Sequence, residues 1–196
     1  MVVLGIEKTS ALLTALIVVI GLCFCGHGMY IYAKAEAAQW LMARAWSQTL
    51  ENGGTPTKAW PWADTWPVAY LEVPKQNIRL YILSNSSGEA LAFGPGHLTT
   101  TPELGSFGTS IIAGHRDTHF KFLQHTTIGD TIHLTLKSKS KLTYLITDFR
   151  IVDADRSGID PQIGEGDLAL VTCFPFDGVT RTKKRFVARA SQPLSS

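Results

Sequence analysis

The feature that most constrains the fold of this chain is a long uncharged stretch near its N-terminus. From Thr9 to Tyr32 there is no Asp, Glu, Lys or Arg, and the apolar centre reads ALLTALIVVIGLCFCG. A helix needs about 20 predominantly apolar residues to span a bilayer, and this stretch provides them when its weaker end, GHGMYIY, is counted. The sequence therefore predicts a single membrane-spanning helix, with residues 1–32 as the anchor.

A buried core helix and a cleavable signal peptide are the alternatives to an anchor. A core helix is disfavoured because the stretch is not amphipathic. A signal peptide has more support, since Ala33-Lys34-Ala35 has the small-x-small form of a cleavage site. Its basic region, however, holds only Lys8 beside Glu7, and the apolar stretch is long. We therefore favour an uncleaved anchor.

Residues 33–67 are predicted to connect the anchor to a folded domain. The part from Ala33 to Leu50 is rich in Ala, Gln, Glu and Leu, which favours a juxtamembrane helix. The Asn-Gly-Gly sequence at 52–54 ends that helix, and TPTKAWPWADTWP follows with three prolines and three tryptophans. So many prolines exclude a regular strand. We expect an extended arm that packs against the domain.

The remainder of the chain, residues 68–196, has the pattern of a β-domain. Short apolar runs are separated by turn-forming clusters such as SNSSGE and IGD; the runs are VAYLEV, NIRLYIL, TSIIA, TIHLTL, LTYLIT, LALVT and RFVARA. In TIHLTL the apolar residues alternate with polar ones, which is the period of a strand with one buried face. This pattern predicts a mainly β fold with short helices, closed or nearly closed into a barrel.

The charge balance gives no reason to expect a nucleic-acid partner. The formal net charge is +2, and the Lys-rich stretches KSKSK and RTKK are short. A nucleic-acid surface normally needs a larger and more clustered excess of positive charge. We interpret both stretches as solvated loops.

Cys173 is the first candidate for a reactive residue. The chain has three cysteines, and the other two, Cys23 and Cys25, lie inside the predicted anchor. Cys173 therefore has no disulfide partner in the β-domain. It ends the LALVT run, where a Pro- and Gly-containing loop begins. An isolated thiol is often a packing residue, but a thiol at the end of a strand is also a candidate nucleophile.

His115 is the histidine best placed to act with Cys173. It follows the apolar run TSIIA after a single glycine, so its side chain also lies just beyond a strand end. Strand ends that face a common opening bring together catalytic groups that are distant in sequence. Structural interpretations account for four of the six histidines, namely His27, His97, His125 and His133. A Cys-His pair is the best catalytic constellation in the sequence.

Two other chemistries fit the sequence poorly. His115 and His119 have the spacing of two zinc ligands on a helix, but Arg116 stands where a zinc protease needs glutamate, and no third ligand is evident. No serine lies in a G-x-S-x-G elbow. We therefore predict neither a metal nor a cofactor.

Three motifs in this order resemble the sortases, which are membrane-anchored cysteine transpeptidases. The motifs are AGHRDTHF, ALVTC and RFVARA, and the similarity extends through LAFGPGHLTTTPELGSFGTSIIAGH and VTCFPFDG. The WPWADTWP arm and the CFPFDG sequence are most similar to the proteobacterial class GN, or marine, sortases. The resemblance implies an eight-stranded β-barrel with short helices, preceded by the membrane helix and the juxtamembrane helix.

The resemblance also implies roles for individual residues. Cys173 matches the nucleophile of the family, His115 its histidine and Arg185 its arginine, while Thr172 matches the threonine before the nucleophile. The family commonly has Thr-Leu-x-Thr-Cys, and this chain departs from that pattern at Ala169. The departure weakens the motif without removing a reactive group.

Arg185 has two rivals for the role of the arginine. A guanidinium can stabilise the oxyanion of a tetrahedral intermediate, provided that it lies near the thiol. Arg181 is in the predicted loop, and Arg189 lies on the same strand face as Arg185 but about 13 Å farther along at ~3.3 Å per residue. Arg185 opens the strand, so we expect it nearest to Cys173.

The activity implied by the resemblance is cleavage of a sorting signal similar to Leu-Pro-x-Thr-Gly, between Thr and Gly. A thioester would form at Cys173, and the acyl group would pass to an amine acceptor that the sequence does not identify. The partner would be a protein with this signal near its C-terminus. The chain would be a single-pass protein of the cell membrane, with its catalytic domain outside the cytoplasm. The alternatives are a hydrolytic cysteine peptidase and a non-catalytic, membrane-tethered β-domain.

Overall fold

The computed structural model describes residues 3–156 and 158–193, and it describes side chains from residue 16 onward except at residue 31. The first two residues of the predicted anchor, and the side chains of its first half, lie outside this description. The chain divides into two compact units, Met1–Trp40 and Leu41–Ser196.

A single helix, α1, spans Val3–Glu51. Its described part is long and apolar enough to cross a membrane, and its large apolar side chains from Leu16 to Tyr30 are exposed. The predicted juxtamembrane helix is present, but it continues the apolar helix without a break. The reason is local, because residues 29–51 contain neither glycine nor proline and are rich in alanine.

The end of α1 follows the chemistry of its sequence. Gly53 and Gly54 both have a positive φ, of 66° and 88°, a backbone conformation that residues with a Cβ rarely adopt. The backbone N–H of Gly54 donates to the carbonyl oxygen of Thr49 over 2.8 Å, which satisfies one of the last carbonyls of the helix. The predicted stop at 52–54 is therefore confirmed.

Eight strands form a closed barrel in the order β1-β2-β3-β4-β7-β8-β6-β5. The strands are β1 Pro67–Val73, β2 Ile78–Leu83, β3 Gly96–His97, β4 Gly108–Ala113, β5 Thr131–Leu136, β6 Lys141–Asp153, β7 Glu165–Cys173 and β8 Lys184–Ser191. The connections contain a short helix, α2, at Gly88–Leu91 and two 3₁₀ turns at Pro74–Gln76 and Lys121–His125. The predicted mainly β barrel of eight strands with short helices is confirmed.

Alternate residues of the strands fill the barrel. The fully buried set includes Leu71, Ile112, Ile132, Leu134 and Leu170. In β5 this is the period of two that the sequence predicts. Fully burying a side chain of this size contributes about 1.5–3 kcal/mol, so the interior of the barrel is the main source of its stability.

A second apolar cluster lies outside the barrel. Met42 of α1 packs with Leu83 and Ala90, and all three are at most 1% exposed. Trp60 of the arm packs against this cluster and meets the ring of Phe93 edge-on, with 4.9 Å between ring centroids. The last turns of α1 and the arm thus belong to the same compact unit as the barrel.

The arm continues to β1 as an extended segment held by hydrogen bonds. The hydroxyls of Thr65 and Ser84 are 3.1 Å apart, and the backbone N–H of Trp66 donates to the Ser84 hydroxyl over 3.3 Å. Ala63 is buried, whereas Trp62 is 82% exposed. The arm packs against the domain as the sequence suggested, while the domain limits 1–32, 33–67 and 68–196 stay predictions.

Candidate active site

The parallel strands β4 and β7 bring two candidate residues to one edge of the barrel. Ala113, the last residue of β4, is in register with Val171, and the N–H of Gly114 donates to the Val171 carbonyl over 3.1 Å. His115 follows directly, and Cys173 is the last residue of β7. Because parallel neighbours end on the same side of the sheet, His115 and Cys173 lie at neighbouring strand ends.

Thr172 gives a second bond between these two strand ends. Its buried hydroxyl donates to the carbonyl oxygen of Gly114 over 2.7 Å. Gly114 has no room for a side chain, since a Cβ would stand 2.8 Å from the ring of buried Phe120. The N–H of Phe120 in turn donates to the His115 carbonyl over 2.9 Å. The small residue before His115 and the hydroxyl before Cys173 therefore fix the backbone of both candidates.

Arg185 lies opposite Cys173 in the antiparallel pair of β7 and β8. Directly opposed residues have Cα atoms about 4.5–5.5 Å apart and side chains on the same face of the sheet. Both residues are partly buried. The Arg185 guanidinium donates to the Lys184 carbonyl over 3.0 Å, which keeps it near the end of the strand.

The two rival arginines are placed differently. Arg189 is in register with Ala169, and its Nη2 is 3.8 Å from an Oδ2 of Asp167. Arg181 is exposed in the loop between β7 and β8. Of these three arginines, Arg185 is the one in register with Cys173.

An apolar surface lies on the same outer face as Cys173. Its floor consists of Ile111, Ala169 and Val187, which are at most 8% exposed. Partly buried side chains pack against this floor, namely Leu98, Val152, Ile159 and Val171. Side chains alternate between the two faces of a strand, so Cys173 shares a face with Ala169 and Val171 on β7, and Arg185 shares a face with Val187 on β8. Cys173 and Arg185 therefore lie at one end of this apolar surface.

His115 is close enough to His119 to affect the titration of His119. Burial lowers the pKa of His119, the nearby His115 lowers it further, and Asp117 opposes this with a smaller effect. His119 is therefore held in its neutral form to a lower pH than a free imidazole. Within residues 3–156 and 158–193, no group of three or more His, Cys, Asp or Glu side chains is arranged to hold a metal ion.

Sequence reasoning missed one residue of this region, Arg116. Its Nη1 donates to the carbonyl oxygen of Pro175 over 2.5 Å, and its Nη2 donates to that of Thr180 over 2.9 Å. Both acceptors are in the loop that follows Cys173. The only signal in the sequence was the position of Arg116 directly after the candidate histidine.

The fold and this edge of the barrel define a class of protein. A closed β-barrel that brings a thiol and an imidazole to adjacent strand ends provides the two groups required for acyl transfer by a cysteine enzyme. A sequence model described as "Sortase domain" matches residues 71–193. The chain belongs to the sortase family, an enzyme family of cysteine transpeptidases. The family predicted from the motifs is thereby confirmed.

Known proteins agree with this assignment. Sortase D of Bacillus subtilis (strain 168) is 35% identical over 118 residues, which are 60% of this chain and 59% of that protein. The chain thus spans less than two thirds of the length of this relative.

Solved structures have the same fold. A lid mutant of sortase A from Corynebacterium diphtheriae has a TM-score of 0.61 and 20% identity, covering 83% of this chain and 92% of its own. Sortase C from Clostridium perfringens with the C-terminal cell wall sorting motif has a TM-score of 0.58 and 19% identity, covering 82% and 89%.

Proposed function

We propose that this chain is a membrane-anchored transpeptidase that cleaves a sorting signal similar to LPxTG and transfers the acyl part to an amine. The observation that carries the proposal is the convergence of Cys173, Arg185 and the His115 segment at one edge of the barrel. Cys173 acts as the nucleophile, His115 as the acid and Arg185 as the oxyanion partner.

The reaction has two halves that share one intermediate. The Cys173 thiolate attacks the carbonyl carbon of the threonine in the signal, and a tetrahedral oxyanion forms. The bond to the glycine nitrogen then breaks, His115 gives its proton to that nitrogen, and a thioester remains on Cys173. In the second half an acceptor amine attacks the thioester, its proton passes to His115, and the thiolate leaves.

Arg185 and the apolar surface suit the two parts of such a substrate. The guanidinium lies opposite the thiol and provides N–H donors for the developing oxyanion. The apolar surface suits the Leu-Pro part of the signal through the partly buried side chains that cover its floor, namely Leu98, Val152, Ile159 and Val171. A sortase C structure that contains the C-terminal cell wall sorting motif supports a protein substrate of this kind.

We also propose that the chain is a class GN sortase and that it is anchored in the membrane. The WPWADTWP and CFPFDG sequences support class GN, and the exposed apolar part of α1 supports a single-pass anchor. In this arrangement residues 1–32 anchor the chain in the cell membrane, 33–67 connect, and 68–196 act outside the cytoplasm on a partner protein that carries the signal.

The test is incubation of the full chain in detergent with an LPxTG-type peptide, with and without triglycine, followed by mass spectrometry. We expect a covalent acyl adduct on Cys173 and a peptide joined to triglycine. Cys173→Ala should form neither product. Release of the acid alone in the presence of triglycine would favour a hydrolytic peptidase, and the absence of any adduct on the wild type would favour a non-catalytic domain.

A further inference from the structure

We propose that Arg116 is a positioning residue that holds the β7–β8 loop against the segment carrying His115 and so sets the approach of His115 to the Cys173 thiol. This proposal rests on the proposed function, because it concerns the same pair of reacting groups.

The guanidinium of Arg116 spans the loop. It donates to Pro175 at the start of the loop and to Thr180 farther along, over 2.5 Å and 2.9 Å. Its side chain is 12% exposed; the bond to Pro175 is partly buried, and the bond to Thr180 is exposed. The planar fork of an arginine can reach two carbonyl oxygens at once, whereas the ammonium of a lysine is a single point.

The loop presents a preformed turn to Arg116. The carboxylate of Asp177 accepts hydrogen bonds from the N–H groups of Val179 and Thr180, over 3.1 Å and 3.0 Å, and from the Thr180 hydroxyl. The bond from the Thr180 side chain is the largest cause that lowers the pKa of Asp177, so this carboxylate is charged at neutral pH. Nη1 of Arg116 lies 3.7 Å from that carboxylate.

The two neighbours of His115 are therefore bonded on either side of Cys173. Gly114 bonds to Val171 and Thr172 before the thiol, and Arg116 bonds to Pro175 after it. With both neighbours held, the backbone of His115 has a fixed position relative to the end of β7. Removal of the Arg116 bonds leaves the attachment at Gly114 and the bond from Phe120 to the His115 carbonyl, neither of which reaches the loop after Cys173.

The loop has a separate attachment to the barrel that does not involve Arg116. The ring of Phe176 packs against the core and meets Phe186 with 5.2 Å between centroids, and Phe186 in turn stacks on Phe149 at 5.5 Å. We therefore expect a variant at Arg116 to remain folded, while the register between the loop and the His115 segment is lost.

The experiment compares Arg116→Lys and Arg116→Ala with Arg79→Ala, a control at an exposed residue of β2. Each full-length variant is measured in detergent for kcat and KM with the LPxTG-type peptide and for thermal unfolding. Displacement of a catalytic group by about 1 Å can cost about 10²-fold. We expect kcat to fall about 10–100-fold in both Arg116 variants, with KM within about threefold of the wild type. Arg79→Ala should match the wild type in every measurement.

A second measurement does not depend on turnover. The rate of Cys173 alkylation by iodoacetamide is followed against pH in the wild type, in His115→Ala and in the Arg116 variants. We expect the profile of both Arg116 variants to shift toward that of His115→Ala, because a displaced imidazole no longer stabilises the thiolate. A wild-type profile identical to that of His115→Ala would refute the Cys-His pair itself. Two outcomes would overturn the positioning role alone. One is a wild-type profile that differs from that of His115→Ala and is the same in both Arg116 variants. The other is full activity in Arg116→Lys.

Discussion

Cys173 and Arg185 stand opposite each other on β7 and β8, at the edge where β7 ends. The pairing is set by the backbone register of the two strands, so the thiol and the guanidinium share a face whatever their rotamers. In the proposed mechanism, the guanidinium on the same face as the thiol, in a partly buried place, stabilises the negative charge that develops there.

Arg185 should contribute mainly to the transition state. We expect Arg185→Ala to lower kcat by about 10²–10³-fold, the usual cost of about 3 kcal/mol for one lost oxyanion donor. Arg185→Lys should recover little of this, because a point charge does not replace a planar fork. Arg189→Ala, which removes the ion pair with Asp167, and Arg181→Ala serve as controls in steady-state assays. A greater loss in Arg181→Ala than in Arg185→Ala would move the role to the loop.

His115 and His119 should differ strongly when each is replaced. Loss of a general acid costs about 10²–10⁴-fold, and we expect a loss in this range for His115→Ala. His119→Ala should fall short of that range, because burial holds His119 neutral and no step is assigned to it. The measurement is kcat with the peptide, at constant pH. Equal losses at both residues that zinc restores would support the metal site instead.

Thr172 should be needed for stability as well as for the site. Its buried hydroxyl is bonded to the Gly114 carbonyl at 2.7 Å, and Thr172→Val leaves that oxygen without its donor. We expect a loss of about 1–3 kcal/mol in the free energy of unfolding, measured with urea, and a lower kcat. Thr172→Ser keeps the hydroxyl and should lose less of both. If Thr172→Val matches the wild type while Thr172→Ser does not, the methyl group and not the hydrogen bond is responsible.

Asp130 should make stability depend on pH in acid. Burial alone would raise its pKa, but the hydrogen bond from Lys75 at 2.7 Å and two from Thr127 outweigh this and lower the pKa below its ordinary value of 3.8. A lowered pKa in the folded state means that this stabilisation is present above pH 3.8 and is lost as the pH falls through the folded-state value.

The test of this dependence is Asp130→Asn. At pH 7 we expect the substitution to lower the free energy of unfolding by about 1–3 kcal/mol, and below pH 3.8 the difference from the wild type should shrink. Asp148→Asn is the matched control, because Asp148 forms an exposed pair with Arg150 that is worth about 0–1 kcal/mol. A difference that does not change with pH would mean that the carboxylate charge is not the cause.

Local patterns in the sequence predicted most of the barrel but not all of its strands. The alternation in β5 identified that strand because its apolar face is buried. Strand β3 has only two residues, Gly96 and His97, and so offers no periodicity to detect. The second half of β6, DFRIVD, contains three charged residues, so its hydrophobicity did not predict that the strand extends to Asp153. Its pairing with β8 is what makes it part of the strand.

The residues of the candidate site were also predicted only in part. Cys173 and His115 were found because each follows an apolar strand, and strand ends are visible in the sequence. Arg116 was missed because its partners are backbone carbonyls of a distant loop. Every residue has a carbonyl oxygen, so the sequence does not indicate which of them accept its hydrogen bonds. The sequence favoured Arg185 over Arg189 because Arg185 opens its strand, but the register that places Arg185 opposite Cys173 depends on which strands are neighbours in the closed barrel.

The docking of Met42 on Leu83 and Ala90 has a practical consequence for preparing a soluble enzyme. A fragment that begins at residue 68 lacks Met42, so it would lose the about 1.5–3 kcal/mol that burial of this side chain contributes and would expose the apolar patch of Leu83 and Ala90 as a new surface for aggregation. A fragment that begins at residue 41 keeps the patch covered and includes the whole compact unit. For expression and crystallisation, the useful cleavage point therefore lies within helix α1 and not at the first strand.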